Sequence, residues 1–572
     1  MTGPTPVGRV LGTEDATPLE FWVALAEGQY LQLDDVVVCE RALPGVGEPV
    51  RVSGVVTQVR ARHEGARFDS DVFLITDGVL PANAVEAAQI TTTRVEPELY
   101  VPPAPGAEVQ RAAGTAREEA LFFDKMQARL PIGLARDGNP LFANLDFIDG
   151  TRGAHINISG ISGVATKTSY ATFLLYSLFN SGVLGDESLN THSLIFNVKG
   201  EDLLFLDHDN TAPNFDDTQR DRYRQLGLVP GAFKSFEVFA PPRAGDRNAA
   251  PDVATRPQGV SSFYWTLADF VEEDLMPFVF ADAEDDRQQY TMVVHNVAAA
   301  LKRHGLRGED GTWQIGERSL RTYRDLVDFV IAKVSDEDDR HEWAGPATGL
   351  GTINAFVRRF RSSQRALDRL VRADIPERDR HRIETDGAQV TVVDIHKLTE
   401  RAQRFVVGVT LRQAFDHKEA TGTAKPLLLI VLDELNKYAP REGSSPIKEI
   451  LLDVAERGRS LGIILIGAQQ TASEVERRII ANSSIRVVGR LDAAEATRPE
   501  YDSLGATHRK RATIAKPGTM FVMQPDIPVP LAVEFPFPAW ATRPSERGDA
   551  NPAARGSAEP PRDPYRGLPG SR

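Results

Sequence analysis

Two apolar segments of the chain each end in polar side chains whose types could act on a nucleotide. The segment LLLIVLDE ends at Asp433 and Glu434, and the segment LGIILIGAQQ ends at Gln469 and Gln470. Such apolar runs are typical of buried parallel strands, whose carboxyl ends meet at the edge where open α/β sheets build their sites. One carboxylate could support Mg²⁺ while the other deprotonates an attacking water. For an Asp-Glu pair taken alone, the alternative is a solvated acidic strand end.

A loop between a predicted strand and a predicted helix has the composition of a phosphate cradle. In ISGISGVATKTS, backbone N–H groups would face the anion, Lys167 would reach the terminal phosphates and the Thr168 hydroxyl would face Mg²⁺. The spacing departs from G-x-x-x-x-G-K-[ST], because Ile161 and Thr166 stand where that pattern has glycines. Either the loop bulges and still wraps phosphate, or it binds nucleotide with altered geometry; a turn without any ligand is the alternative.

These patterns define two sets of candidate residues. Thr168 and Asp433 are the predicted metal ligands. The residues predicted to bind the nucleotide are Gly160, Gly163, Ala165, Thr166, Lys167, Thr168 and Ser169.

The elements that must position these groups follow one another along the chain. Period-two alternation from Gly8 to about Val101 predicts a small antiparallel barrel, and the proline-rich segment 101–110 is interpreted as a linker. Strand, loop, helix and strand patterns around the loop predict a mainly parallel α/β core. The predicted segments are a β-barrel at 1–105, the first part of the core at 106–206, a mainly helical insertion at 207–387, the second part of the core at 388–540 and a disordered tail at 541–572.

Composition restricts the class of protein. The 572 residues are 41% hydrophobic and 26% charged, which is ordinary for a globular protein with a large core. The single cysteine, Cys39, excludes an intrachain disulfide and a thiolate metal cluster. No apolar run has the length of about 18 to 20 residues that a membrane span needs, and the N-terminus lacks a signal-peptide pattern, so we expect a cytoplasmic protein without membrane contact.

The net charge of −14 means that a nucleic acid could bind only at a local basic surface or in an enclosed channel. One candidate is a predicted helix that carries Arg358 and Arg359 together with Arg361, Arg365, Arg369 and Arg372, the last four on one face. The alternative is a solvated face paired with acidic neighbours.

The order of these motifs resembles the HerA branch of the HerA/FtsK superfamily of hexameric DNA-translocating ATPases. The resemblance spans most of the chain: a barrel like that of rotary ATP synthases, the loop before Lys167, then VLDE, ERGRSLGIILIGAQQ and IIANSSIRVVGRL in family order. It implies a RecA-like P-loop ATPase core that uses ATP and Mg²⁺. It also implies a homo-oligomeric ring, expected to be a hexamer, with double-stranded DNA in its central channel.

The same resemblance implies individual roles. Glu434 matches the catalytic glutamate and Asp433 the metal-supporting aspartate. Arg459, with Arg457 as a nearby substitute, matches the arginine that reaches the nucleotide of the neighbouring subunit, and Gln469 or Gln470 resembles the sensor of the γ-phosphate. Without the resemblance, the two arginines would be interpreted as cations at a helix C-terminus. The chain departs from the family at Asn197, where an acidic residue is usual.

Two functions follow as hypotheses. The first is an ATP-dependent DNA translocase or helicase of HerA type that works with a partner nuclease or effector in DNA processing or defence. The second is a hexameric scaffold that binds ATP, hydrolyses it poorly and positions a partner protein; the irregular loop and Asn197 favour it. A motor of the secretion or conjugation type shares the same core, and the absence of an apolar span in the sequence counts against it.

Overall fold

The computed structural model describes residues 6–161, 166–280, 288–375 and 382–547. Gly163 and Ala165 of the predicted phosphate loop lie outside the described residues, and so does the side chain of Thr166. Among the described residues, no helix combines the length and apolar character needed to cross a bilayer.

An antiparallel barrel forms the N-terminal part of the chain, as the alternation predicts. Its strands close in the order β1-β2-β5-β4-β3-β6 around a core that includes Val23, Val52 and Ile90. A short helix, α1 (Asp71–Thr76), connects β4 to β5. The strands are β1 (Gly8–Val10), β2 (Glu20–Leu25), β3 (Val36–Arg41), β4 (Val50–Glu64), β5 (Asn83–Glu96) and β6 (Glu108–Arg111).

The predicted end of the barrel at residue 105 is too early. β6 lies within and beyond the segment interpreted as a linker, and it pairs with both β1 and β3. The prolines of residues 101–110 obscure it, although Val109 is fully buried in the barrel. Closure requires this strand, because a barrel without it would expose two edges.

The remaining strands and helices build the core and the insertion. The strands are β7 (Arg129–Leu134), β8 (Pro140–Asn144), β9 (Ile156–Ser159), β10 (His192–Asn197), β11 (Phe236–Ala240), β12 (Ser261–Ser262), β13 (Gly305–Arg307), β14 (Trp313–Ile315), β15 (Arg318–Leu320), β16 (Val390–Asp394), β17 (Leu428–Asp433), β18 (Ile463–Gln469), β19 (Ile485–Val488), β20 (Thr519–Gln524) and β21 (Ile527–Glu534). The helices are α2 (Thr115–Ala120), α3 (Thr166–Asn180), α4 (Asp217–Gln225), α5 (Leu267–Glu272), α6 (Met276–Val279), α7 (Gln288–His304), α8 (Tyr323–Ser335), α9 (Arg340–Ala344), α10 (Leu350–Leu367), α11 (Glu400–Thr421), α12 (Leu435–Tyr438), α13 (Pro446–Leu461), α14 (Arg477–Ala481) and α15 (Gly505–Thr513).

One mixed sheet organises the core and confirms the predicted α/β fold class. In the part of the chain that the structure describes, twelve strands run in the order β12-β11-β16-β10-β17-β18-β9-β19-β20-β21-β7-β8. The strands from β12 to β19 pair in parallel, and those from β19 to β8 pair antiparallel. β18 therefore lies between β9, which precedes the phosphate loop, and β17, which ends at Asp433.

Helices cover both faces of the parallel strands, which is why those strands are apolar on both sides. On one face, α3 packs with the C-terminal residues 527–541, and the aromatic ring of Trp540 stacks on Tyr176 at 4.8 Å. On the other face, α11 and α13 pack with the helices of the insertion. The parallel strands are thus buried between two layers.

Local sequence fixes the helix that separates β17 from β18. α13 begins after Ser445, whose side chain accepts from the Lys448 N–H at 3.2 Å, with Pro446 in its first turn. It ends at Gly462, which has φ +69°, and a Cβ there would lie 2.0 Å from the Ala424 carbonyl oxygen. Only glycine fits this left-handed position, so the local sequence fixes where α13 ends and β18 begins.

The segment predicted as a helical insertion also supplies strands. β11 pairs in parallel with β16 and β12 extends it, while β13, β14 and β15 form a separate three-stranded sheet. The helices α5 to α10 make up most of the remainder. The sequence does not predict β11, because the glutamate in FEVFA interrupts a short apolar run.

Two further expectations are wrong. The predicted arginine helix ends at Leu367, so Arg369 and Arg372 lie beyond it rather than on its face. The predicted disordered tail begins too early, because Ala541 is fully buried and the Leu203 N–H donates to the Thr542 carbonyl oxygen at 3.0 Å. The chain packs against the core through residue 547, and residues 548–572 lie outside the described part.

Candidate active site

The carboxyl ends of the parallel strands bring the predicted site residues to one edge of the sheet. In the strand register, Asp433 lies opposite Ala468, and Gln469 lies opposite Ser159. Asp433 and Gln469 are both buried. The three strands that carry the phosphate loop, the Asp-Glu pair and the glutamines are therefore neighbours, although 274 positions separate Ser159 from Asp433.

Thr168 and Asp433, the two predicted metal ligands, are in direct contact. The Thr168 hydroxyl donates to Oδ2 of Asp433 at 2.9 Å. A hydroxyl at the start of a helix beside a strand-end carboxylate is the oxygen donor set that Mg²⁺ prefers when it also binds phosphates. The two residues fit a Mg²⁺ ion between them, with the remaining positions left for water and phosphate oxygens.

Lys167 lies at the first turn of α3, and its side chain is buried. Its ammonium group donates to the Gly160 carbonyl oxygen at 2.7 Å. Burial lowers the pKa of Lys167 to about 8, and the carboxylate of Asp433 works against this shift. A buried lysine whose charge is costly in the free protein gains when an anion arrives, which suits a phosphate-binding role.

Lys199 is a cation of the site whose role the sequence did not reveal. Its ammonium group donates to Oδ2 of Asp433 at 2.7 Å and lies 3.8 Å from Oε1 of Glu434. Its side chain is 44% exposed, whereas that of Asp433 is 5% exposed. Lys199 thus neutralises the carboxylates that a metal would use, from a position open to solvent. In the sequence, the turn after β10, VKGED, is a polar turn without a recognisable site motif.

Glu434 adopts a backbone conformation that most residues avoid. Its φ of 57° and ψ of 44° lie in the left-handed region, and its N–H donates to Oδ1 of Asp433 at 2.8 Å. Its carboxylate pairs with Lys437 one turn further on. Such strained non-glycine residues cluster at active sites, where the surrounding structure holds them in place.

The two predicted sensor residues differ in their surroundings. Gln469 is fully buried, and its side-chain amide donates to Oδ1 of Asn157 at 2.8 Å on the adjacent strand. Gln470, the next residue, is exposed. Asn157 was not predicted, and the period-two pattern of HINISG could have placed it beside Gln469. The Asn157–Gln469 pair holds the end of β18 against β9.

Arg459 lies near the amino-terminal ends of the parallel strands, whereas Asp433 lies at their carboxyl ends. It belongs to the last turn of α13, before β18 begins, and it donates to the carbonyl oxygens of Gly150 at 2.9 Å and Thr151 at 2.7 Å. The first residue of β18, Ile463, and the residue opposite Asp433, Ala468, are five positions apart, a distance of about 17 Å. Arg459 therefore does not serve the site of its own chain.

The nearby Arg457 is engaged differently. Its guanidinium pairs with the carboxylate of Glu419 and lies 5.3 Å from the ring centroid of Phe415. In contrast, the hydrogen bonds that Arg459 donates within the described residues go to neutral carbonyl oxygens. Of the two arginines, Arg459 has the charge that is less compensated within the subunit.

The described part of the predicted phosphate loop shows a packing reason for its first glycine. A Cβ on Gly160 would lie 3.1 Å from the carbonyl oxygen of Arg490, the same oxygen that accepts from the Ile161 N–H at 2.7 Å. The loop therefore leaves β9 in close contact with the end of β19. Thr166 begins α3, and Ser169 lines the cleft next to it.

A cleft of about 280 Å³ lies above these side chains. Lys167, Thr168, Ser169, Lys199 and Asp433 line it. Its wall also includes Asn197 and three residues that sequence reasoning missed, namely Asp202, Thr542 and Arg543. Thr542 and Arg543 could not be identified from the sequence, because they reach the cleft only through the packing of the segment that follows β21.

Asn197, the departure from the family pattern, is buried at the end of β10. Its side-chain amide donates to Oδ1 of Asp394 at 3.0 Å and to the Gly200 carbonyl oxygen at 2.7 Å. Asp394 ends the neighbouring β16 and accepts from His396 at 2.8 Å. A carboxylate at position 197 would face that of Asp394, so the amide suits this strand end.

Comparisons with known proteins were made against families, curated proteins and solved structures. No protein-family model matches the chain, and no curated protein matches it. Among solved structures, VirB4 of Thermoanaerobacter pseudethanolicus is similar at 13% identity, with 72% of this chain and 96% of that chain covered and a TM-score of 0.44.

Two structures of a conjugative coupling protein are similar at the same level. The bacterial conjugative coupling protein TrwBdeltaN70 shares 12% identity over 74% of this chain and 93% of that chain, with a TM-score of 0.47. The plasmid coupling protein TrwB in complex with ADP and Mg²⁺ shares 12% identity over 75% of this chain and 94% of that chain, with a TM-score of 0.46.

Proposed function

We propose that the chain is an ATPase whose site comprises Lys167, Thr168, Asp433 and Glu434. The observation that supports this most directly is the 2.9 Å hydrogen bond from Thr168 to Asp433. It joins the helix after the phosphate loop to the strand that ends in the Asp-Glu pair. A nucleoside triphosphate with bound Mg²⁺ needs the hydroxyl and the carboxylate close together.

Each residue of the site has a physical role in this proposal. Lys167 and the N-terminus of α3 hold the phosphates, because a buried ammonium and oriented N–H groups favour an anion. Bound Mg²⁺, held by Thr168 and Asp433, would neutralise phosphate charge. Glu434, fixed by its N–H bond to Asp433, orients and deprotonates the attacking water. Gln469 holds the end of β18 against β9 and so positions the neighbouring Gln470.

We further propose that the active unit is a ring in which Arg459 acts on the neighbouring subunit. Its position before the start of β18, which lies about 17 Å along the strand from the level of Asp433, supports a role in trans. A cation that reaches the transferring phosphoryl group across an interface commonly contributes a factor of about 10³ to 10⁵ in rate. The family resemblance suggests six subunits.

The biological work proposed for this ring is translocation of double-stranded DNA through its centre. The order of the barrel and the VLDE and GR segments supports a HerA-type cytoplasmic motor. In this proposal the ring serves a partner nuclease or effector, since the sequence itself offers no cutting site.

A second candidate function is a scaffold that binds ATP but hydrolyses it slowly. The contact of Lys199 with Asp433 favours it, because this cation occupies an oxygen that Mg²⁺ would need. The amide of Asn197 beside the same cleft also favours it.

Binding and hydrolysis of ATP measured side by side test the proposal. We expect Lys167→Ala to lose ATP binding, and Glu434→Gln to bind ATP while losing hydrolysis by at least about 100-fold, since the general base is gone. Glu442→Gln is the matched control, because Glu442 is an exposed carboxylate nearby. Unchanged hydrolysis in Glu434→Gln would refute the assigned chemistry, and tight ATP binding without turnover in the wild type would support only the scaffold.

A further inference from the structure

A basic groove lies outside the candidate active site, on the insertion. The loop after β11, the start of α8, the second half of α10 and the residue that follows His396 enclose a space of about 890 Å³. We call it the arginine groove. Seven cations face three carboxylates along its lining, in a chain whose net charge is −14. Such a local excess of positive charge needs an explanation.

The inner cations of the arginine groove are fixed by carboxylates. Arg369 donates to Asp252 at 2.8 Å, and Arg372 forms two bonds of 2.7 Å to Asp374. These pairs hold the floor of the groove in place, because paired arginines lose little freedom when a ligand arrives. They also account for two of the three carboxylates of the lining.

The outer cations have no such neutralisation. Arg247, Arg324, Arg361 and Arg365 are exposed, and none of them forms an ion pair with another described residue. Arg361 and Arg365 lie one turn apart on α10, an arrangement of like charges that is destabilising in an isolated helix. An anion bound between them would reverse that cost.

We propose that the arginine groove binds the phosphodiester backbone of a nucleic acid. Guanidinium groups match phosphate oxygens in a planar, bidentate geometry. Arg361 and Arg365 are about 6 Å apart along the helix axis, and the other outer arginines come from different segments, so the positive charge is extended. An extended row of cations suits a chain of phosphates better than one small phosphate compound.

The groove is linked by contacts to the candidate active site. Lys397, on the groove lining, lies 3.4 Å from Oε1 of Glu201, and Glu201 accepts from the Ala254 and Thr255 N–H groups of the loop after β11. Lys199, two residues before Glu201, donates to Asp433. The turn 199–201 thus touches both sites. A nucleic acid in the groove would change ATP hydrolysis through this turn, an effect that rests on the proposed function.

Fluorescence anisotropy with a labelled DNA duplex and a labelled single strand tests the binding. We compare the full chain with Arg361→Gln/Arg365→Gln and with a matched control, Arg136→Gln/Arg318→Gln, which removes two exposed arginines outside the groove lining. At about 0.1 M salt the groove variant should bind roughly 30-fold more weakly, with a salt slope shallower by about 1.4 for the single strand and about 1.8 for the duplex. The control should match the wild type.

The outcomes separate the sources of the effect. Equal affinity and equal salt slope in the groove variant and the control would overturn the proposal. Displacement of the DNA by tripolyphosphate at the same phosphate concentration would also overturn it, in favour of a small-anion site. ATP hydrolysis is then measured with and without DNA: a DNA response that the groove variant loses supports the link to the turn. If the wild type, the groove variant and the control all fail to hydrolyse ATP, the proposed function fails while the binding result stands.

Discussion

Mixing two inactive variants, Arg459→Ala and Glu434→Gln, should restore ATP hydrolysis. In the proposed ring, each site takes Glu434 from one subunit and Arg459 from its neighbour. Arg459→Ala keeps an intact Glu434, and Glu434→Gln keeps an intact Arg459. Where the first variant supplies the site and the second supplies the arginine, the interface is complete.

The structure sets the size of the expected effect. Arg459 is bound to loop carbonyls near the amino-terminal ends of the parallel strands. From there β18 extends about 17 Å to the level of Asp433, so the Arg459 side chain does not reach the site of its own chain. Each variant alone should lose activity, by a factor of about 10³ or more for Arg459→Ala. In rings assembled at random from equal amounts, about one interface in four has both intact residues, so roughly a quarter of wild-type hydrolysis should return.

The assay is phosphate release after the two variants are mixed under conditions that exchange subunits, with native mass measurement of co-assembly. The control is Arg459→Ala mixed with a chain that carries both substitutions, since that mixture has no complete interface. Arg457→Ala should keep most activity, because Arg457 pairs with Glu419 within the subunit. Co-assembled rings that stay as inactive as the single variants would refute the assignment of Arg459 to the neighbour's site.

Two further predictions concern single groups. Burial lowers the pKa of His155 to about 4 from its usual 6.5, so the unfolded chain takes up its proton first and stability is lost as pH falls from 6.5 to 4, by up to about 3 kcal/mol. The Tm of His155→Gln should therefore fall less steeply over this range, and parallel Tm profiles would contradict the prediction. Asp433→Asn should lower hydrolysis by at least about 100-fold and raise the Mg²⁺ concentration needed, since an amide is a weaker ligand; unchanged Mg²⁺ titrations would exclude Asp433 as a ligand.

Much of the fold could be predicted because its signals are local. The apolar runs of β17 and β18 identify buried parallel strands, and the alternation near the N-terminus identifies the barrel. The boundaries were less accurate, as β6 and β11 show. Both strands are short, and pairing with distant strands, rather than local composition, makes them part of a sheet.

The arginine run illustrates the same limit. Helical spacing placed Arg361, Arg365, Arg369 and Arg372 on one face, but α10 ends at Leu367. The two later arginines reach the same groove by another path, through ion pairs with Asp252 and Asp374. Local periodicity could not foresee the Asp252 partner, because it comes from a loop 117 residues away, whereas Asp374 lies only two residues after Arg372.

The sequence by itself determined which chemical groups are available: a lysine and a hydroxyl at a strand-to-helix loop, an Asp-Glu pair and two glutamines at strand ends, and an arginine before β18. These follow from residue types and short-range periodicity. Only the tertiary structure decided which of them meet. The hydrogen bond between Thr168 and Asp433 joins positions 265 residues apart, and Lys199 approaches the same carboxylate across 234 residues. The order of the strands in the sheet determines these contacts, and that order depends on the packing of the whole core.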